Sequence, residues 1–479
     1  MIKNRSLSVD QKEALKDFSF WLDEKNIDKP FLLSGYAGSG KTYLGTKFLQ
    51  LVEDRNICWT VAAPTHKAVG VLRNAIEKEG LRPTWYPSTI HRLLRLKLKR
   101  RGNLEVCEQT SQTAKSLDQL GLVLVDEASM VDSNLLEIVI TCAHSHETRL
   151  VFVGDPAQLP PVGEEASPVF SLQRVKRAHL TEVIRHQGPV LKLASLIREE
   201  GFTCSMPPCF PIVRTKTGLI GSLDQKSWLE KAKSSLREAA EKNDPDSIRI
   251  LCYTNRYLER LVPHARRAVH GQLADEMSVL PGEVLISRRA VMTTASLESD
   301  NAEEEPGILL GSNAEIVVED VKNQVFDLFD LDLEFEEKYD LDLPQINTLV
   351  AKVSAGNNKY LIRLMPELGT NSRLILEELM QDLCNLAKKL PKREARAFWK
   401  KFFYVRDSFA SVGPASVLTV HRSQGSTFQE VFIAADVFFA SDLSLRKQLV
   451  YVAVSRASEK VWLAGDNSIN SLNSPWCID

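Results

Sequence analysis

The chain has 479 residues, 44% apolar, 25% charged and 7% aromatic, a length that predicts about three domains with cores ample enough to need no disulfide or metal staple. Its 60 Lys and Arg against 62 Asp and Glu leave a formal charge of −2, so a nucleic-acid partner cannot be held by a bulk basic field and needs a local groove. None of the 8 cysteines forms a Cys-x-x-Cys pair, which argues against zinc and for reduced cytosolic thiols.

The opening MIKNRSLSVDQKEALKDF carries no apolar core of the kind a secretory signal has, and no apolar run approaches a membrane span. Four short apolar runs follow: Phe31-Leu32-Leu33, Trp59 to Ala63, Leu122 to Val125 and Leu150 to Val153. Each reads as a buried strand with polar residues at its C-terminal end, where parallel α/β sheets bind ligands. A second α/β stretch is expected from about Leu180, including IRILCYTN at 248–255. From about 275 the pattern turns β-rich: LFDLDLEFEE alternates apolar and acidic residues, and TLVAKVSAGNNKYLIRL reads as two strands joined at Gly356-Asn357-Asn358. SRLILEELMQDLCNLAKKL has helical periodicity, and Pro391 is placed to open a further helix through Trp399. Apolar runs return at ASVLTV, VFIAA and VWLAG, so a small β-rich module is expected inside the second α/β domain.

Gly35-Tyr36-Ala37-Gly38-Ser39-Gly40-Lys41-Thr42 fits Gly-x-x-x-x-Gly-Lys-Ser/Thr, after a strand and before a helix. Gly35, Gly38, Ser39 and Gly40 turn backbone N–H groups onto phosphate oxygens, Lys41 reaches the β and γ phosphates, and Thr42 meets Mg²⁺. Farther on, a buried strand ends in Asp126-Glu127. Two carboxylates there are costly unless they face a cation: Asp126 is expected to hold Mg²⁺ and Glu127 to polarise the attacking water. Nucleoside triphosphate hydrolysis is the implied chemistry.

The remaining blocks resemble superfamily 1 helicases of the 5′-to-3′ branch, the Dda/RecD type. Ser8-Val9-Asp10-Gln11 resembles the family's adenine-reading motif, implying that Gln11 meets the adenine edge. Ala63-Pro64-Thr65-His66-Lys67-Ala68 and Ser88-Thr89-Ile90-His91 resemble its first two DNA-contact motifs. Gly154 to Pro161 resembles motif III, with Gln158 sensing the γ-phosphate, and Leu180 to Arg185 resembles motif IV, whose Arg185 faces the nucleotide. Thr419 to Phe428 resembles motif V and Tyr451 to Ala457 motif VI, with Ser455 where the family usually has Thr. The resemblance carries over Arg456 as a phosphate-facing arginine and Gly425 to the nucleotide side. Nucleic-acid contact falls to Pro64, Thr65, His66, Lys67 and His91 on the first unit, and to Thr419, His421 and Ser423 on the second.

The resemblance implies two RecA-like parallel-sheet motor domains: 1–179, with a pin insertion at about 92–118, and 180–274 joined to 414–479. An inserted SH3-like β-barrel would span 275–413, with a helical extension at about 370–410 whose Trp399, Phe402 and Phe403 buttress the pin. Between His91 and Gly102 stand six Lys or Arg, a pattern that a solvated basic face shares. The acidic Asp330, Asp332, Glu334 and Glu336 would repel phosphate and are expected on a barrel's wet face. The expected protein is a monomeric, ATP- and Mg²⁺-dependent DNA helicase, translocating 5′-to-3′ on single strands and acting at duplex junctions. Its partners would include single-strand-binding or replisome proteins, with no membrane, in the cytosol of a bacterium or phage-infected host. An RNA helicase of the same branch and a nucleotide-gated subunit without unwinding activity stay open as alternatives.

Overall fold

Strands buried on both faces of a parallel sheet must be apolar throughout, and the sheet that forms first along the chain obeys this. The computed structural model describes residues 7–24, 28–101, 104–161, 163–182, 188–295, 307–327, 345–356, 358–469 and 476. Among them, six parallel strands assemble in the order Ser88–Thr89, Trp59–Ala63, Leu122–Val125, Arg149–Gly154, Phe31–Gly35 and Lys176–Leu180. The P-loop strand Phe31–Gly35 is thus interior, flanked by the strand leading to Asp155 and by the edge strand. Leu180, expected to start the second α/β stretch, is instead the last residue of that edge strand, where it pairs with Gly35.

A second six-stranded sheet runs Val417–Thr419, Ile248–Cys252, Phe428–Ile433, Ala457–Gly465, Gly218–Asp224 and Phe210–Thr215. Its pairings are parallel except for the terminal hairpin of Phe210–Thr215 on Gly218–Asp224. The two sheets make this an α/β protein with RecA-like parallel-sheet lobes. Both lie in one compact unit formed by Met1–Leu98, Cys107–Leu261 and Val417–Asp479.

The second unit comprises Lys99–Val106 and Val262–Ser416. Its five-stranded antiparallel sheet has the order Asn358–Arg363, Ile346–Ala355, Glu315–Phe326, Val284–Ser287, Val412–Pro414. The helices Asn371–Lys389 and Lys392–Asp407 follow, the second capped by Pro391. Phe398 and Phe403 are fully buried there, with Trp399 and Phe402 half-buried against the same core. Lys97–Arg101 and Leu104–Glu108 form a separate two-stranded sheet. The acidic run containing Asp330, Asp332, Glu334 and Glu336 lies outside the described residues. No helix among the described residues is long and apolar enough to cross a membrane.

Candidate functional site

The P-loop is held from both ends by aromatic packing. Phe18 stacks on Phe48 at 4.0 Å between ring centroids, and Phe31 meets both rings edge-on, tying the first helix, the strand and the helix Lys41–Asp54 together. Between strand and helix, Gly38 and Gly40 both take φ of 82°, a left-handed conformation that a side chain disfavours. Lys41 Nζ donates to the loop carbonyls of Gly35 (2.8 Å) and Tyr36 (3.0 Å), so its ammonium already lies over the turn. Ser39 Oγ is buried and finds no hydrogen-bond partner among the described residues.

Gln11 packs against the P-loop. It is 2% exposed; its amide donates to Ser39 O (3.1 Å) and its oxygen accepts from Ser8 N (3.2 Å) in a capping box at the start of the helix Val9–Asp23. A Cβ at Gly40 would stand 2.6 Å from Gln11 Nε2, so the glycine is also required by this close approach. Gln11 therefore braces the P-loop through Ser39. Neighbouring Asp10 Oδ2 accepts from Thr181 N (2.9 Å), Thr181 Oγ1 (2.7 Å) and Glu182 N (3.1 Å), anchoring the segment that leads towards Arg185. Arg185 itself lies outside the described residues.

Asp126 and Glu127 end the strand next but one to the P-loop strand. Asp126 is buried, and that burial, reinforced by the Glu127 charge, pushes its carboxyl up to about 7 against the opposing pull of Glu127 N–H and Lys41. Glu127 stands at φ 53°, ψ 43°, a left-handed conformation uncommon outside glycine and strained in proportion. The distortion turns the chain sharply after Asp126. On the adjacent strand end, Asp155 accepts from Ala157 N (3.0 Å) and so builds the turn that carries Gln158. Gln158 is 5% exposed, and its Oε1 has no partner among the described residues.

Within this unit the second lobe reaches the first at several points. The hydroxyl of Tyr451 meets both Ala37 N (3.0 Å) and Asp155 Oδ2 (2.8 Å). Arg198 stacks on Tyr36 of the P-loop, 3.6 Å from its ring centroid. Gln424 Nε2 donates to Leu159 O (3.1 Å), and Lys67 Nζ sits 5.3 Å over the Phe428 ring. Arg456 is buried and donates to Ser426 O (3.2 Å). Gly425 lies beside the first lobe's nucleic-acid motif: the atoms nearest to where its Cβ would stand belong to Ala68 and Thr65.

The strand Trp59–Ala63 leads through Pro64 to Thr65, which caps the helix His66–Lys78 by accepting from Ala68 N (3.2 Å). Next to it, Thr89 caps the short turn Ile90–Leu93 and accepts from Arg92 N (3.3 Å). Beside them a pocket of about 230 Å³ is lined by His66, Arg73, Trp85, Tyr86, Arg92 and Arg95 among others. Tyr86 is 68% exposed, and Arg73 stacks on it at 4.4 Å. Partial burial, then Arg92 and Arg73, lower the pKa of His66; burial lowers that of His91. Arg73 and the aromatic pair are missing from the sequence reading, although Arg73 stands seven positions after His66, two turns along one helix face.

On the second lobe, burial also lowers the pKa of His421, whose ring lies 6.2 Å from that of Tyr253. Ser423 is fully buried and spends its hydroxyl on Val420 O (2.7 Å). It shapes the turn and cannot serve as the expected phosphate contact. Thr419 is 7% exposed at the head of the same turn.

An AAA-domain family profile matches residues 6–204, and a UvrD-like helicase C-terminal domain profile matches residues 414–464. The ATP-dependent DNA helicase dda of Enterobacteria phage T4 is 23% identical over 437 residues, covering 90% of this chain and 93% of its own. The RecBCD enzyme subunit RecD of Haemophilus influenzae is 30% identical over 200 residues, covering 38% of this chain and 29% of its own. A crystal structure of Bacteroides Pif1 bound to ssDNA covers 96% of this chain and 93% of its own at 15% identity, with a TM-score of 0.47.

Proposed function

The chain belongs to the superfamily 1 helicases of the 5′-to-3′, Dda/RecD-like branch, and from that premise we propose that it hydrolyses ATP to travel 5′-to-3′ along single-stranded DNA and open duplex ahead of it. The observation that carries this reading is the phosphate cradle at the meeting of two parallel-sheet lobes, with a side chain of the second bonded to Ala37 of the first. Residues 1–180 act as the first motor domain, and 188–261 with 417–479 act as the second.

In this reading the P-loop amides and Lys41 hold the β and γ phosphates. Thr42 and Asp126 offer hard oxygen donors that suit Mg²⁺, and the ion would offset the charge that burial penalises at Asp126. Glu127 orients and deprotonates the attacking water, and the partnerless oxygen of Gln158 accepts a hydrogen bond from it. Arg456 of the second lobe neutralises charge on the transferred phosphoryl, a part that the family resemblance also gives to Arg185. Losing the γ-phosphate removes the anion that bridges the lobes, so the cleft opens and closes once per turnover.

The strand lies across Pro64, Thr65, His66, Lys67 and His91 on one lobe and Thr419 and His421 on the other. Neutral imidazoles and the Tyr86 face suit bases, whereas Arg73, Arg92 and Arg95 suit phosphate. The hairpin Lys97–Arg101 with Leu104–Glu108 serves as the pin, and its grouping with Val262–Ser416 supports a buttressing role for the inserted module, read as an SH3-like barrel with Trp399 and Phe402 in its helical extension. The protein works as a cytoplasmic monomer at single-strand–duplex junctions, beside single-strand-binding or replisome proteins.

Unwinding of 5′-tailed against 3′-tailed duplexes, with DNA and RNA loading strands, tests activity, polarity and sugar preference together. Strand separation on the 5′-DNA-tailed duplex alone is the expected result. Unwinding from 3′ tails reverses the polarity, and none on any substrate overturns the reading.

A further inference from the structure

Tyr451 sits within the helix Leu443–Ser455 of the second lobe, 1% exposed, and no part of the chemistry described so far uses it. Burial and the Asp155 charge push its pKa far above the ordinary phenol value, so the hydroxyl keeps its single proton. A phenol with one proton beside a carboxylate and an N–H has one consistent arrangement: it donates to Asp155 Oδ2 at 2.8 Å and accepts from Ala37 N at 3.0 Å. Both partners belong to the first lobe and lie on different strand ends. Ala37 is in the P-loop; Asp155 is fully buried, its Oδ1 takes Ala157 N, and its carbonyl takes Gln158 N (3.2 Å). One hydroxyl from the second lobe thus fastens the turn that bears Gln158 to the loop that bears the phosphates. Arg198 of the same lobe lies 3.6 Å from the Tyr36 ring and 5.7 Å from the Tyr451 ring, stacking against both.

We propose that Tyr451 is a positioning residue for hydrolysis: when the lobes close, its hydroxyl locks the Gln158 turn in register with the P-loop, so turnover depends on closure through a phenol–carboxylate hydrogen bond as well as through arginine. The inference rests on the ATPase reading above and names a further residue of the same site. A tyrosine that merely filled the core would pass its loss to stability alone. A positioning tyrosine passes it to kcat, because the water-orienting group drifts while the phosphate cradle still binds ATP.

The test is steady-state ATPase of the full-length protein with a single-stranded DNA oligonucleotide, comparing wild type, Tyr451→Phe, Asp155→Ala and the double variant, each with a melting curve. Tyr451→Phe is expected to lower kcat about 10- to 100-fold, the equivalent of one hydrogen bond to a buried carboxylate, with KM for ATP within about twofold. The double variant should be no slower than the slower single one, since both cut the same link. Wild-type kcat in Tyr451→Phe, with or without a lower Tm, overturns the assignment, as do losses that simply multiply in the double variant. If Tyr451→Phe folds poorly, Asp155→Ala, which removes the acceptor, alone decides: an unchanged kcat there is equally fatal. Wild-type protein without oligonucleotide-stimulated ATPase sinks the helicase reading itself, a result distinguishable from failure of Tyr451 alone.

Discussion

At the scale of single residues, the site stores unfavourable terms that only a ligand relieves. Asp126 has its folded pKa raised from 3.8 to about 7, chiefly by burial. Between those values the folded chain keeps a proton that the unfolded chain releases, so this group's contribution to stability falls as pH rises through the window. Asp126→Asn removes the charge and keeps an oxygen to accept from Glu127 N, a bond of 2.8 Å in the native chain. It should cut ATPase by about 100-fold or more while raising the Tm at pH 8, measured without Mg²⁺. That gain should vanish at about pH 3, below the unfolded value of 3.8, where Asp126 is largely protonated in both states. A variant that melts below wild type at pH 8 would contradict the burial argument. Glu127 carries steric strain in its left-handed backbone, accepted because it delivers a carboxylate beside Asp126.

Among the elements, the P-loop owes its shape to what flanks it. Phe18, Phe31 and Phe48 are all fully buried and bind two helices and one strand into a single block under the glycine turn. Phe48→Ala should cost about 3–5 kcal/mol in denaturant unfolding, as other large-to-small aromatic truncations do. It should also raise KM for ATP, because the helix that starts at Lys41 loses its seat against the strand. Phe48→Leu should recover most of both. A KM that stays at the wild-type value in Phe48→Ala would show that the loop holds its shape without the block.

For the whole molecule, the nucleic-acid path depends on two lobes acting on one strand. His66 and His421 have pKa values below the ordinary imidazole value, mainly through burial, so both are neutral at pH 7 and above. Replacing both with Ala should weaken single-strand DNA binding about tenfold, read by fluorescence anisotropy at fixed salt. Native affinity should be flat from pH 7 to 8.5, since neither ring titrates there. A steep rise in binding on acidification from pH 8 to 7 would mean that these rings act as cations, against the environment described for them.

Much of the frame was legible along the chain because its signals are local. A buried parallel strand must be a continuous apolar run, and a phosphate turn needs glycine where φ is positive, as at Gly38 and Gly40. What the tertiary structure decided are partnerships between distant positions. Gln11 resembles an adenine reader but is engaged by Ser39, 28 positions away. Ser423 looks available to phosphate until the turn buries it. The pocket beside His66 joins Arg73 to Trp85 and Tyr86 from different elements. Tyr451 and Asp155 are 296 positions apart, each unremarkable in its own segment. Periodicity and turn chemistry report a residue's immediate neighbours along the chain; which buried hydroxyl answers which carboxylate depends on how two separately formed sheets are brought together.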